Sequence, residues 1–166
     1  MSRTHARSCC GRSPEPKEML LAEADFDDVE KSILAIARYF FQSFAAPQSQ
    51  GWMAALDLAE ATFGDPDGPL IATRLLTTMR AMRYARRSLF SFNCQSCETC
   101  AAILTEQERR LITALSAVRN GQIGRAQTEL LMLCEGNDIT QVIAAMTRLS
   151  IALPASKAAR VGDAYV

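Results

Sequence analysis

Apolar residues recur along most of the chain with the spacing of an α-helix. After residue 24 they return every three or four positions, which places them on one face of a helix. Alternating runs of β-branched residues, the pattern of half-buried strands, are nearly absent. The clearest helical stripe consists of Val29, Ile33, Ile36, Phe40 and Phe44. We therefore predict an all-α fold, a compact bundle of about six helices.

Residues that begin or end helices divide this pattern into segments. Asp25 or Asp27 can accept hydrogen bonds from the free amides at the start of the first helix, and Pro47 follows its end. The second helix is predicted over Gly51–Phe63, and Gly64 suits its termination. One side of this second helix carries the apolar residues Trp52, Leu56 and Ala59.

The third helix is predicted to begin near Pro69 and to run to about Arg87. Proline suits a first helical turn because the amide hydrogen that it lacks would have no partner there. The predicted buried face of this helix consists of Ile71, Leu75, Met79 and Met82.

Three more helices are predicted after an aperiodic stretch over residues 88–104. Thr105 and Glu108 form a capping-box pattern that opens the fourth helix. The other two are expected at about 122–135 and at 139–153, the last one after a cap at Asn137 or Asp138. The short links between these helices favour antiparallel packing of neighbours.

Length and composition fit one domain. The chain has 166 residues, of which 49% are hydrophobic, and this suffices for a single core. We predict a helical domain over residues 25–154, flanked by a disordered N-terminal tail over 1–24 and a disordered C-terminal tail over 155–166. Prolines at 14 and 16 oppose regular structure in the first of these tails.

The sequence favours a cytoplasmic bacterial protein with no membrane association. No stretch approaches the roughly 20 apolar residues of a membrane span, and no apolar run follows the N-terminal charges as it would in a secretion signal. The excess of arginine over lysine is typical of high-GC coding, which indicates a bacterial source.

Charge is distributed unevenly although the formal net charge is zero. Acidic residues dominate residues 13–65, whereas arginines dominate residues 66–133. Such asymmetry can steer a charged partner. The alternative is that the two oppositely charged regions pack against each other in the fold.

The strongest chemical signal is a cluster of three cysteines, Cys94, Cys97 and Cys100, in the stretch between the third and fourth helices. A Cys-x-x-Cys spacing lets the chain turn back so that two thiolates reach one ion, and here the spacing occurs twice. In a reducing compartment such cysteines indicate metal or redox chemistry before disulfides. We predict a metal-binding loop. A redox-active dithiol, which needs only two of the thiols, and an accidental cluster are the alternatives.

Cys134 is the candidate for a fourth ligand. The spacing of Ile123, Ala126, Leu130 and Cys134 predicts that this thiol lies on the buried face of the fifth helix. A free cysteine also packs as a small apolar side chain, so a place in the core is the alternative.

The identity of the metal stays open between zinc and a [4Fe–4S] cluster, which we weigh equally. Three closely spaced cysteines with a distant fourth are typical of many cubane clusters, although no proline follows Cys134 as in ferredoxin-type runs. Zinc sites more often combine two Cys-x-x-Cys pairs, but zinc is the commoner structural ion.

The sequence disfavours an enzyme. The single histidine, His5, lies in the predicted tail, which removes the usual general base and the common nucleophile pairs. A Gly-rich phosphate loop is also missing from the sequence.

Six arginines could form a basic rim around the cysteines and bind a protein partner or nucleic acid. An ordinary solvated surface is the alternative. These residues are Arg80, Arg83, Arg86, Arg87, Arg109 and Arg110. Our first hypothesis is a non-catalytic adaptor or accessory factor that binds a metal and a protein partner. The alternative is a metal or cluster sensor that regulates transcription by binding DNA through these arginines. The sequence predicts no oligomeric state.

Overall fold

The computed structural model describes residues 12–156. Within this range seven α-helices and one pair of short strands are present. In chain order they are β1 (Met19–Leu20), α1 (Asp28–Ala45), α2 (Gly51–Phe63), α3 (Asp67–Ala85), α4 (Glu98–Ala101), β2 (Ile103–Leu104), α5 (Glu106–Arg119), α6 (Ile123–Leu133) and α7 (Thr140–Ala152). The predicted all-α fold class is confirmed. The unpredicted elements are α4, the two strands and two short 3-10 helices, Leu21–Glu23 and Pro47–Ser49.

Two helices begin with reciprocal caps. The Asp27 carboxylate accepts from the Glu30 amide at 2.8 Å, and the Glu30 side chain accepts from the Asp27 amide at 3.0 Å. Thr105 and Glu108 form the same arrangement at the start of α5, with distances of 3.1 and 2.9 Å. Each box satisfies backbone donors that have no partner inside the helix. The caps predicted at Asp27 and Thr105 are confirmed.

The buried face of α2 differs from the apolar stripe of its sequence. Trp52 and Leu56 are 48% and 38% exposed. The side of α2 that packs inward consists of Gly51, Ala55 and Ala59. Small residues lie there because the backbones approach closely: a Cβ at position 51 would stand 2.5 Å from the Tyr39 carbonyl oxygen. Close packing therefore decided the orientation of α2.

The core lies among the longer helices. Helix α3 packs along α7, α5 along α6, and α1 along α2. The predicted buried face of α3 is confirmed, since Ile71, Leu75, Met79 and Met82 are all at most 2% exposed.

Two details of the last helices were predicted wrongly. Ile123, assigned to the buried face of α6, is 43% exposed because it is the first residue of the helix, at its open end. Asp138 does not take the N-cap position of α7, which Ile139 occupies. The Asp138 carboxylate instead accepts from the amide and the hydroxyl of Thr140, at 2.9 and 2.6 Å.

The predicted N-terminal tail is partly ordered. Strand β1 pairs antiparallel with β2, so that Met19 lies opposite Leu104. Beyond the strand, the Leu21 amide donates to the Ala102 carbonyl at 2.8 Å. The apolar residues after Pro16 thus form a strand, although the prolines at 14 and 16 led us to predict no regular structure here. Of the predicted tail, residues 1–11 lie outside the described residues.

At the other end, the structure describes only two residues of the predicted C-terminal tail. The Ser156 hydroxyl is buried and donates to the Asn120 side chain at 2.9 Å. Residues 157–166 lie outside the described residues.

The acidic and arginine-rich regions of the sequence meet inside the fold. Arg119 of α5 contacts Asp27 at 2.9 Å and Glu30 at 2.8 Å, at the start of α1. Arg38 of α1 contacts Glu108 of α5 at 2.7 Å. The Arg119 pairs support the alternative in which the two oppositely charged regions pack against each other, whereas in the Arg38–Glu108 pair the base comes from the acidic region and the acid from the arginine-rich one.

The helices of residues 12–156 include none with the length and apolar character that crossing a membrane requires.

Candidate functional site

The cysteines lie in the segment 86–105, which connects α3 to α5 and which we call the cysteine segment. Aromatic rings fix this segment to α1. The Phe90 ring stacks on Phe41 with centroids 4.1 Å apart, and Phe92 stacks on the same ring at 5.6 Å. Stacked rings bury large apolar surfaces with a defined geometry. The first half of the segment is therefore anchored to α1.

A buried arginine holds the second half of the segment. Arg38 is 1% exposed and donates to the carbonyl oxygens of Ala101 at 2.9 Å and Ile103 at 2.7 Å. It also donates to the Gln95 side chain at 3.2 Å. Its charge is balanced by Glu108, which accepts two hydrogen bonds at 2.7 and 3.0 Å. Arg38 therefore contacts the chain on both sides of α4.

Glu108 completes this arrangement from α5. Its carboxylate is 0% exposed and accepts from the Asn93 and Thr105 amides in addition to Arg38. A buried charge is tolerated when a counter-charge and hydrogen bonds satisfy it, and Glu108 has both. The same residue that caps α5 thus also fixes the position of Asn93, one residue before Cys94.

The N-terminal strap, which we define as residues 12–24, covers this network. Arg12 donates to Asn93 at 2.6 Å and to both Glu18 oxygens at 2.6 and 2.9 Å. The bond to Glu18 is the main cause that raises the pKa of Arg12, and Arg12 lowers the pKa of Glu18. Cys100 also lies close enough to Arg12 to raise its pKa. The strap therefore places a cation beside the third cysteine.

Both Cys-x-x-Cys spacings fold back on themselves. Residues 95–96 form a turn between Cys94 and Cys97. Cys97 is then the N-cap of α4, and its carbonyl accepts from the Ala101 amide at 2.8 Å. Cys94 and Cys97 are half-buried, whereas Cys100 is 4% exposed. The three thiols thus lie on two successive turns and differ in accessibility.

Cys134 lies at the C-terminal end of α6. It is 0% exposed and belongs to the hydrophobic core together with Leu130 and Leu133. Burial raises the pKa of this thiol, while the charge of nearby Arg86 acts in the opposite direction. The predicted burial of Cys134 is confirmed. Burial is expected both for a thiol that packs in the core and for one that binds a metal. The role of Cys134 as a fourth ligand stays a prediction.

No three or more cysteine, histidine, aspartate or glutamate side chains are grouped within residues 12–156 in a way that could hold a metal ion. His5, Cys9 and Cys10 lie outside the described residues. The predicted metal-binding loop therefore stays a prediction.

Arg86 does not lie on an exposed face. Its side chain is 4% exposed, donates to the Leu133 carbonyl, and lies 3.6 Å from Glu135. Glu135 in turn accepts from the Ser88 hydroxyl and from the Arg87 amide. These hydrogen bonds, the Ser88 bond above all, lower the pKa of Glu135. Arg86 thus joins the end of α3 to the end of α6.

The other five arginines are not equivalent either. Arg110 contacts Glu106 at 2.9 Å and Glu129 at 3.1 Å, and the Glu106 bond above all raises its pKa. Arg109 is half-buried. Three are exposed, namely Arg80, Arg83 and Arg87, and Arg83 lies 4.2 Å over the Phe44 ring. The six arginines therefore do not form one free basic surface.

Sequence reasoning missed Arg38, Asn93 and Arg12. Arg38 had a detectable signal, because it lies four residues after Leu34 and three before Phe41, on a face that is buried. A charged residue in such a stripe needs a buried partner. Asn93 and Arg12 had no comparable signal, since neither belongs to a periodic segment.

Comparison of the chain with protein families, characterised proteins and solved structures gave no match.

Proposed function

We propose that the chain is a non-catalytic accessory protein that binds zinc or a [4Fe–4S] cluster through Cys94, Cys97 and Cys100, with Cys134 as the candidate fourth ligand. The main observation behind this proposal is that buried side chains hold the cysteine segment in place. Three thiols lie on two successive turns, and a buried Arg38–Glu108 pair fixes the backbone around them. This support keeps the three thiols, which are close together in sequence, in place on the bundle, as a metal site requires.

The chemistry of the donor set fits a thiophilic centre. Soft thiolate ligands select zinc, copper(I) and iron–sulfur clusters over magnesium or calcium. Half-buried Cys94 and Cys97 are open to an incoming ion, while Cys100 lies deeper, against the bundle. Four thiolates would leave no open coordination position on zinc, so a zinc ion would contribute folding energy. An iron–sulfur cluster would instead supply electron transfer or sensing.

An exposed face of α2 supports the interaction role. Trp52, Met53 and Leu56 are 48%, 45% and 38% exposed and lie on one side of the helix. Aromatic and methionine side chains are enriched in protein interfaces. Asp57 and Glu60 are exposed on the same helix, so a partner segment with an apolar stripe and basic flanks would complement this surface.

The DNA-binding sensor stays a prediction. Arg86 and Arg110 form ion pairs inside the fold, which leaves Arg80, Arg83 and Arg87 as the exposed cations of the predicted rim. Three arginines are fewer than the six to ten phosphate contacts that make binding to duplex DNA strongly salt-dependent. The accessory role therefore has the better support.

The deciding experiment is elemental analysis for zinc and iron, with an absorption spectrum, on the full chain purified without oxygen. We expect one equivalent of zinc, or of a cluster with its charge-transfer absorption. Cys97→Ser should lose the metal, while Ser96→Ala, a matched change in the same turn, should retain it. Neither metal in the unaltered chain would overturn the proposal.

Cys134→Ser tests the fourth ligand separately. Loss of metal with the fold intact by circular dichroism would support coordination by Cys134. Retention of metal would assign Cys134 to the core and exclude it as a ligand.

A further inference from the structure

We propose that the cysteine segment is also a thiol–disulfide exchange site, in which Cys97 attacks a small disulfide and Cys100 resolves the mixed disulfide. The substrate class is a low-molecular-weight disulfide such as oxidised glutathione. The bond between the two cysteines follows from the local geometry alone. Only its consequence for the metal rests on the proposed function.

The first observation is the position of the two residues on α4. Cys97 is the N-cap, with extended backbone angles of φ −106° and ψ 116°, and Cys100 is the third helical residue. The Cys97 side chain makes no capping hydrogen bond to the α4 amides, but the N-cap and third helical positions are neighbours across one turn, as the contacts of a capping box require. Residues three apart on a helical turn have Cβ atoms about 5–6 Å apart. A disulfide needs about 4 Å, so a small local shift closes the bond.

The second observation is the difference in accessibility. Cys97 is half-buried, whereas Cys100 is 4% exposed and lies beside Arg12 of the strap. A disulfide in solution therefore reaches Cys97 first. Cys100 is left to react within the molecule, which is the role of a resolving thiol.

The third observation is that the resolving thiol is held in place. The carbonyls of Ala101 and Ile103, on the C-terminal side of Cys100, both accept from Arg38. A reacting group fixed next to its target reacts as if at very high concentration. The mixed disulfide on Cys97 should therefore be short-lived.

Two other thiols are less suitable partners for Cys97. Cys94 lies across the turn at 95–96 and is half-buried, so it is itself open to a disulfide in solution, whereas Cys100 is shielded. Cys134 is 0% exposed in the core at the end of α6. Cys94 is therefore the competitor that the experiment must distinguish.

The exchange is balanced without any further reactant. The Cys97 thiolate attacks one sulfur of the small disulfide, an S–S bond forms, and the first small thiolate leaves and takes a proton from water. The Cys100 thiolate then attacks the Cys97 sulfur and displaces the second small thiolate. Two protein thiols are oxidised by two electrons, and one small disulfide is reduced to two thiols.

If the cysteine segment binds a metal, a disulfide between Cys97 and Cys100 removes two of the segment's three metal ligands. Metal binding and exchange would then compete for the same sulfurs. An oxidising shift in the thiol pool would release the metal, and reduction would restore the site.

The test uses the metal-free full chain with Cys9, Cys10, Cys94 and Cys134 changed to Ser, so that only Cys97 and Cys100 remain. It is incubated with oxidised glutathione, quenched with iodoacetamide and weighed intact by mass spectrometry. We expect the loss of two hydrogens and no glutathione adduct. Adding Cys100→Ser should trap one glutathione on Cys97, and adding Cys97→Ser instead should leave almost no adduct. A lasting adduct while both thiols are present would overturn the proposal.

The unaltered chain provides a second measurement that does not depend on the folding of multiple variants. Trypsin cleaves after Arg87 and Arg109, so one peptide carries all three cysteines of the segment. After exchange and alkylation we expect the alkyl group on Cys94. An alkyl group on Cys100 would assign the bond to Cys94 and Cys97 and overturn the proposed pair. Closure of the bond in a chain that never binds metal would overturn only the proposed function.

Discussion

The interface between α3 and α7 and the cysteine segment are held together by different kinds of force. At the interface the side chains are apolar and closely packed; Leu75, Met79 and Met146 are at most 2% exposed. Hydrophobic burial is non-directional and is shared over many contacts. The segment instead depends on a few directional hydrogen bonds from Arg38 and Glu108. A change in the core should therefore lower stability without moving the segment, whereas one polar change should release it.

The largest expected effect is that of Arg38→Met. This change leaves the Glu108 carboxylate buried without its counter-charge, which costs about 3–5 kcal/mol of unfolding free energy. It also removes the donors to Ala101 and Ile103. Urea denaturation measures the loss, and faster alkylation of Cys100 under native conditions measures release of the segment.

Two variants complete this first prediction. Arg80→Met, a matched change at an exposed arginine of α3, should alter stability by no more than about 0.5 kcal/mol. Adding Glu108→Gln to Arg38→Met should restore part of the lost stability, because the uncompensated charge is gone while an acceptor for the Asn93 and Thr105 amides remains. Equal losses at positions 38 and 80 would contradict the importance of the buried pair.

Leu75→Ala tests the other side of the comparison. Removal of a core side chain that is 2% exposed should cost about 2–5 kcal/mol. Because Leu75 makes no hydrogen bond to the cysteine segment, we expect alkylation of Cys100 in the folded protein to stay at its original rate. A large increase in that rate at low denaturant would show that core and segment are one cooperative unit.

Asn93→Ala should have a smaller and more local effect. It removes the bond to the Ile103 carbonyl at 2.9 Å and leaves Arg12 without its Asn93 acceptor. The cost of unsatisfied buried groups is about 1–3 kcal/mol. Hydrogen exchange should accelerate in residues 94–104 and in the strap but not in α3. Uniform acceleration across all helices would contradict a local role.

The smallest effect concerns pH. Arg12 lowers the pKa of Glu18, so the pair stabilises the strap above the unfolded pKa of about 4.3 and this contribution is lost as the pH falls through the lower folded pKa. The pair is partly exposed, so less than about 1 kcal/mol is expected. The protection factor of the Leu21 amide, its exchange rate relative to an unstructured peptide at the same pH, should fall on acidification, and Glu18→Gln should remove this dependence. An unchanged profile in that variant would exclude Glu18 as the titrating group.

Most of the helices and their ends were determined by the sequence itself. The capping boxes at Asp27 and Thr105 and the span of α2 depend on residues within one or two helical turns. Helical spacing reports such short-range interactions directly. The cysteines were found for the same reason, because their spacing is regular over seven residues.

Only the tertiary structure decided what surrounds these elements. The Arg38–Glu108 pair joins residues 70 positions apart, and β1 pairs with a strand that follows four α-helices later in the chain. The inward face of α2 followed from the close approach at Gly51, not from hydropathy. Such choices depend on which surfaces meet when the whole chain packs. The periodicity of a sequence reports contacts within a helix but not which helices pack together. The residues that surround the cysteines therefore could not be predicted from the cysteine spacing.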